Sequence, residues 1–447
     1  KRDRNENKTR TMKEKYLDVD KVWYTDKENV EEEKEANYIV RNIESISDYL
    51  RGIINILSDY YLVKRWDLKI LKYENLFSYP NGTSLDELLQ KGIFFRGESK
   101  KYENQIPGLY RDIKYVQHEN EIIIDGMLNA ADQLEGKSLF DTLTLLQHYG
   151  SNTRILDMTS NALVALYFAT STNLNEDGFV YLLSGSQLGN KDIEKIKSPI
   201  DRSVIVKACL SRLTFDDKRI LSNLLSNIPQ IEKIKDIKEY LIQEQSQSVW
   251  KKNKRIITRL YSLVQKELGV SNIEIPIYEL FGYDIVRPFS LDERVIRQSG
   301  LFMIIGLENI SKIDKKYELA LKKNKKLIDL KTKLVEIQEK SHKEINEIPK
   351  LEYEIDRYKK FVYKKILERT IQSEATHNIY DLSVKYSPII SGLTGEHPAR
   401  ILIKKEYKKR ILNELNMLGI TSSSIYPDLA HKTKDINKKY NFIELPR

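Results

Sequence analysis

The stretch that decides the fold is LLQHYGSNTRILDMTSNALVALYFAT, which runs from Leu145 to Thr170. Its apolar residues predict the end of one helix, a short buried strand and a second helix that is apolar nearly all round. A Gln, a His, an Arg, an Asp and a Thr-Ser pair interrupt this pattern at the junctions. These polar residues either end the three elements or form a site.

A purely structural explanation accounts for each polar residue separately. Asp157 caps the helix that follows, and Arg154 pairs with Asp157 or with Glu98. His148 satisfies the carbonyl groups at the helix end near Gly150. Nothing in the spacing excludes this explanation for any one of these residues.

A site explanation accounts for the residues together. The free N–H groups at the start of the second helix, beside Thr159 and Ser160, predict an anion pocket. Arg154 and Arg96, the latter at the tip of the predicted strand in FFRGES, supply the planar donors that suit a phosphate. A buried Arg next to apolar residues is costly unless it is paired, so two of them beside a His favour a site.

Composition restricts the class of protein. The chain has 447 residues, 31% of them charged, and a net charge of +9 that is the sum of 74 basic and 65 acidic residues. Mixed charges of this kind favour solvated surfaces, with a weak attraction to nucleic acid or anionic ligands. The single cysteine indicates a reducing compartment, and the charged N-terminus does not resemble a signal peptide. No apolar run is long enough to span a membrane, so we expect a soluble cytoplasmic protein with no membrane partner. The native chain can extend further N-terminally.

Patterns along the chain predict an α+β protein with a small mixed β-sheet surrounded by helices. We expect a flexible segment at 1–36, a main domain at 37–313 that begins with a helix, a helical hairpin insertion at 314–396, and a return to the main domain at 397–447. RVIRQSGLFMIIGL, near the end of the main domain, predicts two strands. The Lys- and Glu-dense segment 314–372 is interrupted at Pro349. Its pattern favours a coiled-coil-like or oligomerising pair of helices. Its basic bias also allows a contact with nucleic acid, which is the less favoured interpretation.

Several kinds of chemistry lack their motifs. The chain has no phosphate-binding P-loop, no dinucleotide-binding glycine pattern, no nucleophile elbow and no zinc-binding HExxH. Its six histidines are scattered, so we expect no metal, and a metal-dependent nuclease is the least favoured hypothesis.

Five motifs in order carry a resemblance to a known family. The chain resembles the FRG domain, which is named for its Phe-Arg-Gly motif. The motifs that carry the resemblance are FFRGES, IPGLYRD, the 145–170 stretch, DERVIRQSGLF and ILNELNMLGITSSSIYPDL. The resemblance extends from about Ile46 to Asp435. It implies an effector encoded near bacterial mobile-element and antiphage genes, acting in antiphage defence or as a toxin with a partner protein of the same system.

The chain is also similar to ADP-ribosyltransferases in the order of its elements. An Arg on a first strand is followed by a helix, and then by a strand that leads into a helix beginning at Thr or Ser. That similarity implies NAD as the substrate. It implies that Arg96 binds the diphosphate or ribose, that residues 153–160 form the pocket wall, and that Tyr149 stacks on nicotinamide. In this hypothesis Arg96, His148, Asp157 and Glu293 are catalytic, and the cofactor-binding residues are Tyr149, Thr153, Arg154, Thr159, Ser160 and Gln298.

The catalytic carboxylate is the open question of this hypothesis. Glu293 is the candidate because it precedes RVIRQSG, with Gln298 holding the ribose or the acceptor. The usual ExE or QxE of the transferases does not occur at this position, so Asp157 or Asp428 are alternatives.

Two functions therefore compete. The first is an NAD-cleaving or ADP-ribose-transferring enzyme built on Arg96 and the 147–160 segment. The second is a non-catalytic module that senses a nucleotide or a phage protein, with the basic hairpin 314–372 contacting nucleic acid or a partner. Either function is compatible with a homo-oligomer.

Overall fold

The structure is a computed structural model that describes most of the chain from residue 39 to residue 426. Two predictions, the flexible segment at 1–36 and the candidate Asp428, lie outside the described residues. The described residues are 39–40, 43–53, 93–102, 106–184, 196–226, 228, 233–243, 247–289, 293–309, 313–339, 348–382, 385–386, 397–398, 400–426 and 432–433.

A mixed β-sheet lies at the centre of the described structure. The strands are β1 Ile39–Val40, β2 Ile93–Glu98, β3 Ile155–Thr159, β4 Gly178–Ser184, β5 Tyr283–Val286, β6 Gly300–Ile305, β7 Lys385–Tyr386, β8 His397–Pro398 and β9 Arg400–Ile403. Seven of them form one sheet in the order β1-β9-β4-β2-β3-β6-β5, while β7 and β8 pair separately. Strand β1 runs parallel to β9, and every other pair in the large sheet is antiparallel.

Helices surround the sheet. They are α1 46–53, α2 Ile113–Gln117, α3 Glu119–Asn129, α4 Ala131–Leu134, α5 Leu139–His148, α6 Ala162–Thr170, α7 Arg202–Leu210, α8 Phe215–Leu225, α9 Ile237–Gln243, α10 Gln247–Leu268, α11 Glu293–Arg297, α12 Ile313–Lys323, α13 Lys325–Glu339, α14 Ile348–Leu382, α15 Lys405–Met417 and α16 Ser422–Ile425. Short 3-10 turns span Gly108–Arg111 and Ile277–Leu280. The predicted α+β class is confirmed. None of the helices in the described ranges combines the length and the apolar composition needed to cross a bilayer.

The two faces of the sheet bury different helices. One face carries two separate apolar clusters: α1, α6 and α15 cover β2, β4 and β9, whereas α5, α7 and α10 cover β5 and β6. The other face is covered by the Gly108–Arg111 turn, α2 and the end of α14. Between the two clusters, Asp157 in the middle of β3 is left exposed.

The glycine of the Phe-Arg-Gly motif has a packing role. A Cβ added to Gly97 would lie 1.8 Å from the carbonyl oxygen of Ala165 in α6, which is far inside van der Waals contact. Gly178 meets the carbonyl of Ala169 in the same way at 2.2 Å. These two glycines let the apolar helix α6 lie directly on β2 and β4.

Within the described residues, the segment predicted as a hairpin consists mainly of α12, α13 and α14, and part of it belongs to the core. Leu367, Ile371 and Ala375 of α14 are buried against the sheet, so the helix anchors the segment to the main body. Pro349 does not interrupt a helix, because it is the second residue of α14. Proline is tolerated in the first turn, where its missing N–H has no intrahelical partner.

Two local predictions are wrong. Ile39–Val40, predicted as helix, is a strand because it pairs with Arg400 and Ile401 of β9. The first predicted strand of RVIRQSGLFMIIGL is the short helix α11, and only Gly300–Ile305 is a strand. Ser299 joins them with a φ of 47°, a left-handed conformation that ends the helix.

Candidate functional site

The main cleft of the described structure opens where β2 and β3 separate. Strand β2 pairs with β4 along six residues, but its register with β3 is the single pair Phe95 and Thr159. Beyond this pair the sheet is split, and the cleft has a volume of about 330 Å³. Its lining joins residues from both faces of the sheet, among them Arg96, Glu98, Tyr102, Arg111, Gln147, His148, Asp157, Thr159, Arg294, Gln298, Phe302 and Tyr426.

Arg96 bridges the split. Its Nη1 donates to the main-chain oxygen of Asp157 at 2.7 Å, across the part of the sheet where the β2–β3 ladder is missing. Its Nε donates to Oε1 of Glu98 at 3.1 Å, and the side chain is 15% exposed. The guanidinium is thereby held in one orientation at the floor of the cleft.

Glu98 is the most unusual carboxylate of the cleft. It is 3% exposed, and its Oε2 has no hydrogen-bond partner within the described residues. Burial raises the pKa of Glu98, although the positive charges of Arg96 and Arg111 act in the opposite direction. A buried carboxylate with one unsatisfied oxygen is typical of functional sites.

Asp157 is the accessible carboxylate of the cleft. Its Oδ1 accepts a hydrogen bond from Nε2 of Gln147 at 2.6 Å. The Gln147 amide oxygen in turn accepts from the Thr153 hydroxyl at 2.6 Å. This chain of bonds fixes the carboxylate while leaving the Asp157 side chain exposed to a ligand.

A second arginine faces the same cleft. Arg111 ends the Gly108–Arg111 turn, and its Nε donates to the main-chain oxygen of Ile106 at 3.3 Å. The side chain is exposed, but desolvation beside the cleft and the charge of Arg96 both lower the pKa of Arg111. The ring of Tyr102 lies 5.9 Å from the Arg111 guanidinium, so an aromatic face and two cations occupy one side of the cleft.

The opposite wall is joined by main-chain contacts. The hydroxyl of Thr159 donates to the carbonyl oxygen of Gln298 at 2.7 Å, and that of Ser160 donates to the carbonyl oxygen of Ser299 at 3.3 Å. The Gln298 amide donates to the carbonyl oxygen of Ile425 at 3.4 Å. Thr159 and Gln298 line the cleft, whereas the Ser160 hydroxyl binds the residue that precedes β6 and does not line the cleft.

The predicted anion pocket at the start of α6 is wrong. The helix is capped by Asn161, whose Oδ1 accepts from the N–H groups of Leu163 and Val164. Thr159 is instead the last residue of β3. Two of the N–H groups on which the pocket depended are therefore already used.

Arg154 does not reach the cleft. It is completely buried and forms two hydrogen bonds with the Glu119 carboxylate, at 2.7 and 2.5 Å. Its Nη1 donates to the carbonyl oxygens of Ile305 and Gly306, and the ammonium of Lys218 binds the same Glu119 carboxylate. Its place in this buried ion cluster contradicts the prediction that it holds a ligand phosphate, because none of its donors faces the cleft.

Four other predicted residues also lie outside the cleft, and Ser160, which contacts Ser299, is one of them. Glu293 forms an exposed ion pair with Arg297 one turn along α11, at 2.5 Å. Tyr149 is 74% exposed at the end of α5, and Thr153 is buried behind Gln147. Among the predicted residues, the cleft brings together Arg96, His148, Asp157, Thr159 and Gln298.

The sequence did not single out Tyr102 or Arg111, and it indicated Glu98 only as a partner of Arg154 and Gln147 only as a member of the 147–160 segment. Three of the four lie inside the motifs that carried the family resemblance: Glu98 in FFRGES, Arg111 in IPGLYRD and Gln147 in LLQHYG. Only the fold shows that these motifs meet at one split in the sheet. Within the described ranges, no group of three or more His, Cys, Asp or Glu side chains is arranged to hold a metal ion.

The fold and the cleft define an α+β protein with a polar, arginine-lined site between two parted strands. Residues 91–178 match the model of the FRG domain, so the chain carries an FRG domain. No curated protein and no solved structure matches the chain. The matched range contains Arg96, Glu98, Arg111 and Asp157, whereas Gln298 and Tyr426 come from outside it.

Proposed function

We propose that the FRG domain cleaves NAD at its nicotinamide–ribose bond, releasing ADP-ribose to water or to an acceptor. The observation that carries the proposal is the composition of the cleft, in which two arginines stand on one side of an accessible carboxylate. Arginines suit the diphosphate, and a carboxylate suits the positive charge that develops on the sugar.

The two arginines support an anionic ligand. Arg96 lies close enough to Arg111 for its charge to lower the pKa of Arg111. The buried carboxylate of Glu98 interacts with both arginines. A diphosphate between the two guanidinium groups relieves their repulsion through charge-assisted hydrogen bonds. Tyr102 offers an aromatic face for a base or nicotinamide ring in place of the distant Tyr149.

Asp157 is the residue that we place next to the reacting sugar. When the bond between nicotinamide N1 and ribose C1′ breaks, the electron pair leaves with nicotinamide and the sugar becomes positively charged. The Asp157 carboxylate, held by Gln147, stabilises that charge while water or an acceptor hydroxyl forms the new bond to C1′. The proton released by the attacking group passes to the carboxylate or to solvent, which balances the step.

Glu98 acts through Arg96. Its side chain is buried under the cleft and accepts from Arg96 Nε, so it positions the guanidinium rather than touching the sugar. The proposal thus replaces Glu293 with Asp157 as the reacting carboxylate. An effector role in antiphage defence or in a toxin system, with a partner protein that controls it, forms part of the same proposal and rests on the FRG resemblance.

The test is release of nicotinamide from NAD, measured by chromatography, with extract of phage-infected cells supplied as activator. Asp157→Asn should lower the rate by about 10²–10³, the usual effect of removing a transition-state charge partner. Arg96→Ala should lower kcat/KM by about 10–100-fold, because a charged hydrogen bond contributes about 1.5–3 kcal/mol. Glu293→Gln is the matched control and should retain the wild-type rate, since its carboxylate pairs with Arg297 outside the cleft.

Background release by the wild-type protein and by Arg96→Ala alike would refute the enzymatic proposal. Thermal stabilisation by NAD that is lost in Arg96→Ala, without release of nicotinamide, would instead support the nucleotide-sensing module. Salt-sensitive binding of DNA or RNA through the basic segment 314–372 would support the nucleic-acid form of that module.

A further inference from the structure

Helix α10 carries charge of one sign along most of its length. The sixteen residues 251–266 include six Lys and Arg residues and no Asp or Glu. The six are Lys251, Lys252, Lys254, Arg255, Arg259 and Lys266, and all of them are exposed. Since the whole chain has a net charge of +9, this single helix presents a large share of it on one surface.

The packing of α10 arranges these cations in a row. Its apolar side chains are buried in the cluster that covers β5 and β6, and they include Ile256, Ile257, Leu260 and Val264. Lys251, Arg255 and Arg259 are four residues apart, so they lie on one face, opposite the core. A helix rises about 1.5 Å per residue, which separates successive cations of the row by about 6 Å along the axis.

The nearby carboxylates neutralise only part of this charge. Asp217 of α8 is buried, and its two oxygens accept from Arg255 and Arg259 at 3.4 Å each, so one negative charge is shared by two arginines. Arg255 is nevertheless 87% exposed. The neighbouring residues 233–243, which include α9, contain three Lys, one Asp and one Glu, and therefore add no net negative charge. The face remains strongly positive.

We propose that this face of α10 binds the phosphate backbone of double-stranded DNA. Lys and Arg side chains that neutralise phosphates release the counterions of DNA, which gives affinity without sequence preference. Thr258 and Ser262 are exposed among the cations and supply hydroxyl groups of the kind that also contact phosphate oxygens. Lys252 and Lys254 flank the row on its two sides. The major groove of B-DNA, about 12 Å wide, accepts a helix with phosphates on both flanks.

Other anionic partners fit this face less well. Single strands are bound by stacking of bases on aromatic side chains, but the aromatic residue of this segment, Tyr261, is buried. A membrane surface requires apolar side chains on the same face as the cations, whereas those of α10 face the core. The major groove of double-stranded RNA is too narrow to admit side chains. The surface is also separate from the main cleft, which none of the described residues of α10 lines.

The experiment measures binding of a fluorescent DNA duplex of about 20 base pairs, which is longer than the row, at several salt concentrations. If five cations meet phosphates, the logarithm of the association constant should fall against the logarithm of salt with a slope of about −4.5. The triple variant Lys251→Gln, Lys252→Gln and Lys254→Gln should make this slope shallower by about 2.7, because each lost phosphate contact removes about 0.9. Its three side chains are exposed, so it should unfold at the wild-type temperature.

The matched control changes three exposed lysines of α12 and α13, and it is the triple variant Lys322→Gln, Lys331→Gln and Lys333→Gln. It has the same net charge as the α10 variant and should keep the wild-type slope. Equal changes in the two variants, or a change in the control alone, would overturn the proposal.

Three further results would also overturn it: no salt-dependent binding of the duplex, tighter binding of the single strand or of an RNA duplex of the same sequence, or preferential binding to phosphatidylserine vesicles. The inference goes beyond the proposed cleavage of NAD. Because the readout is binding of DNA in the absence of NAD, the outcome of this test and that of the enzymatic proposal are independent.

Discussion

Replacing Arg154 distinguishes its structural role from the ligand-binding role that its sequence context first indicated. The variant Arg154→Leu replaces the guanidinium with a smaller apolar side chain and leaves the Glu119 carboxylate with Lys218 as its remaining ionic partner. We expect a protein that is strongly destabilised. Arg154→Lys retains the charge but loses the two-point contact, so its loss should be intermediate.

The size of the effect follows from the electrostatics of Glu119. Its pKa is lowered to about 2 from an ordinary value of 4.5, against a burial penalty, by the charges of Arg154 and Lys218. Each pKa unit corresponds to about 1.4 kcal/mol, so the ion cluster stabilises the charged carboxylate by about 3 kcal/mol. Breaking a buried ion pair typically costs about 3–5 kcal/mol, and we therefore expect the free energy of unfolding to fall by about 3 kcal/mol at pH 7.

Urea unfolding followed by circular dichroism measures this change. Arg357→Leu is the control, because its side chain is exposed on α14, and it should change the free energy of unfolding by less than about 0.5 kcal/mol. An Arg154→Leu protein that unfolds like the wild type but no longer binds NAD would refute the structural assignment.

The same cluster has a pH signature. The folded pKa of Glu119 lies below its unfolded value, so its stabilisation is complete above the unfolded value near 4.5 and is lost as the pH falls toward 2. Wild-type stability should therefore decrease steeply between about pH 5 and pH 2, and Arg154→Leu should show a shallower decrease. Parallel slopes for the two proteins would contradict this origin.

Three further predictions concern the cleft and its supports. Gly97→Ala should lower the thermal unfolding temperature, because the new Cβ would overlap the Ala165 carbonyl oxygen. Overpacking of this kind costs about 1–3 kcal/mol or more. An unchanged unfolding temperature would show that α6 can move away from β2 without a loss of stability. Lys408→Met should lower the free energy of unfolding, measured in urea, by about 1–3 kcal/mol. The buried Lys408 ammonium donates to three main-chain carbonyl oxygens, two of them in loops beside the cleft. An unchanged free energy of unfolding would mean that water binds these carbonyl groups in place of the ammonium. Glu98→Gln should raise KM for NAD more than it lowers kcat, because it acts by positioning Arg96, and the opposite split would indicate direct contact with the sugar.

Local patterns were sufficient to predict the elements whose signals lie within a few residues. Ser138 caps α5 through the N–H of Asp141, as its place before an apolar periodic segment indicates, and the helix gives way to Gly150 with a φ of 95°. The apolar segment GFVYLLS is β4 over its full length. The strand predicted around Arg96 is present, but Arg96 is the fourth of its six residues rather than its end, and there it lines the cleft.

Other outcomes depended on residues far apart in the chain. Ile39–Val40 has the local pattern of a helix but becomes a strand because β9, near the other end of the chain, offers its edge. Arg96 and Arg154 look alike in sequence, each in a short apolar strand, yet one faces a cleft and the other is neutralised by Glu119.

The sequence by itself determined the α+β class, the helices and strands around LLQHYGSNTRILDMTSNALVALYFAT, and the motifs that carry the FRG domain, because these depend on short-range periodicity and residue type. Only the tertiary structure decided which polar side chains share a site. Parting of β2 from β3 brings Glu98, Arg111 and Asp157 to one cleft and leaves Glu293 outside it. Burial and charge pairing across the fold, which no local pattern encodes, made that selection.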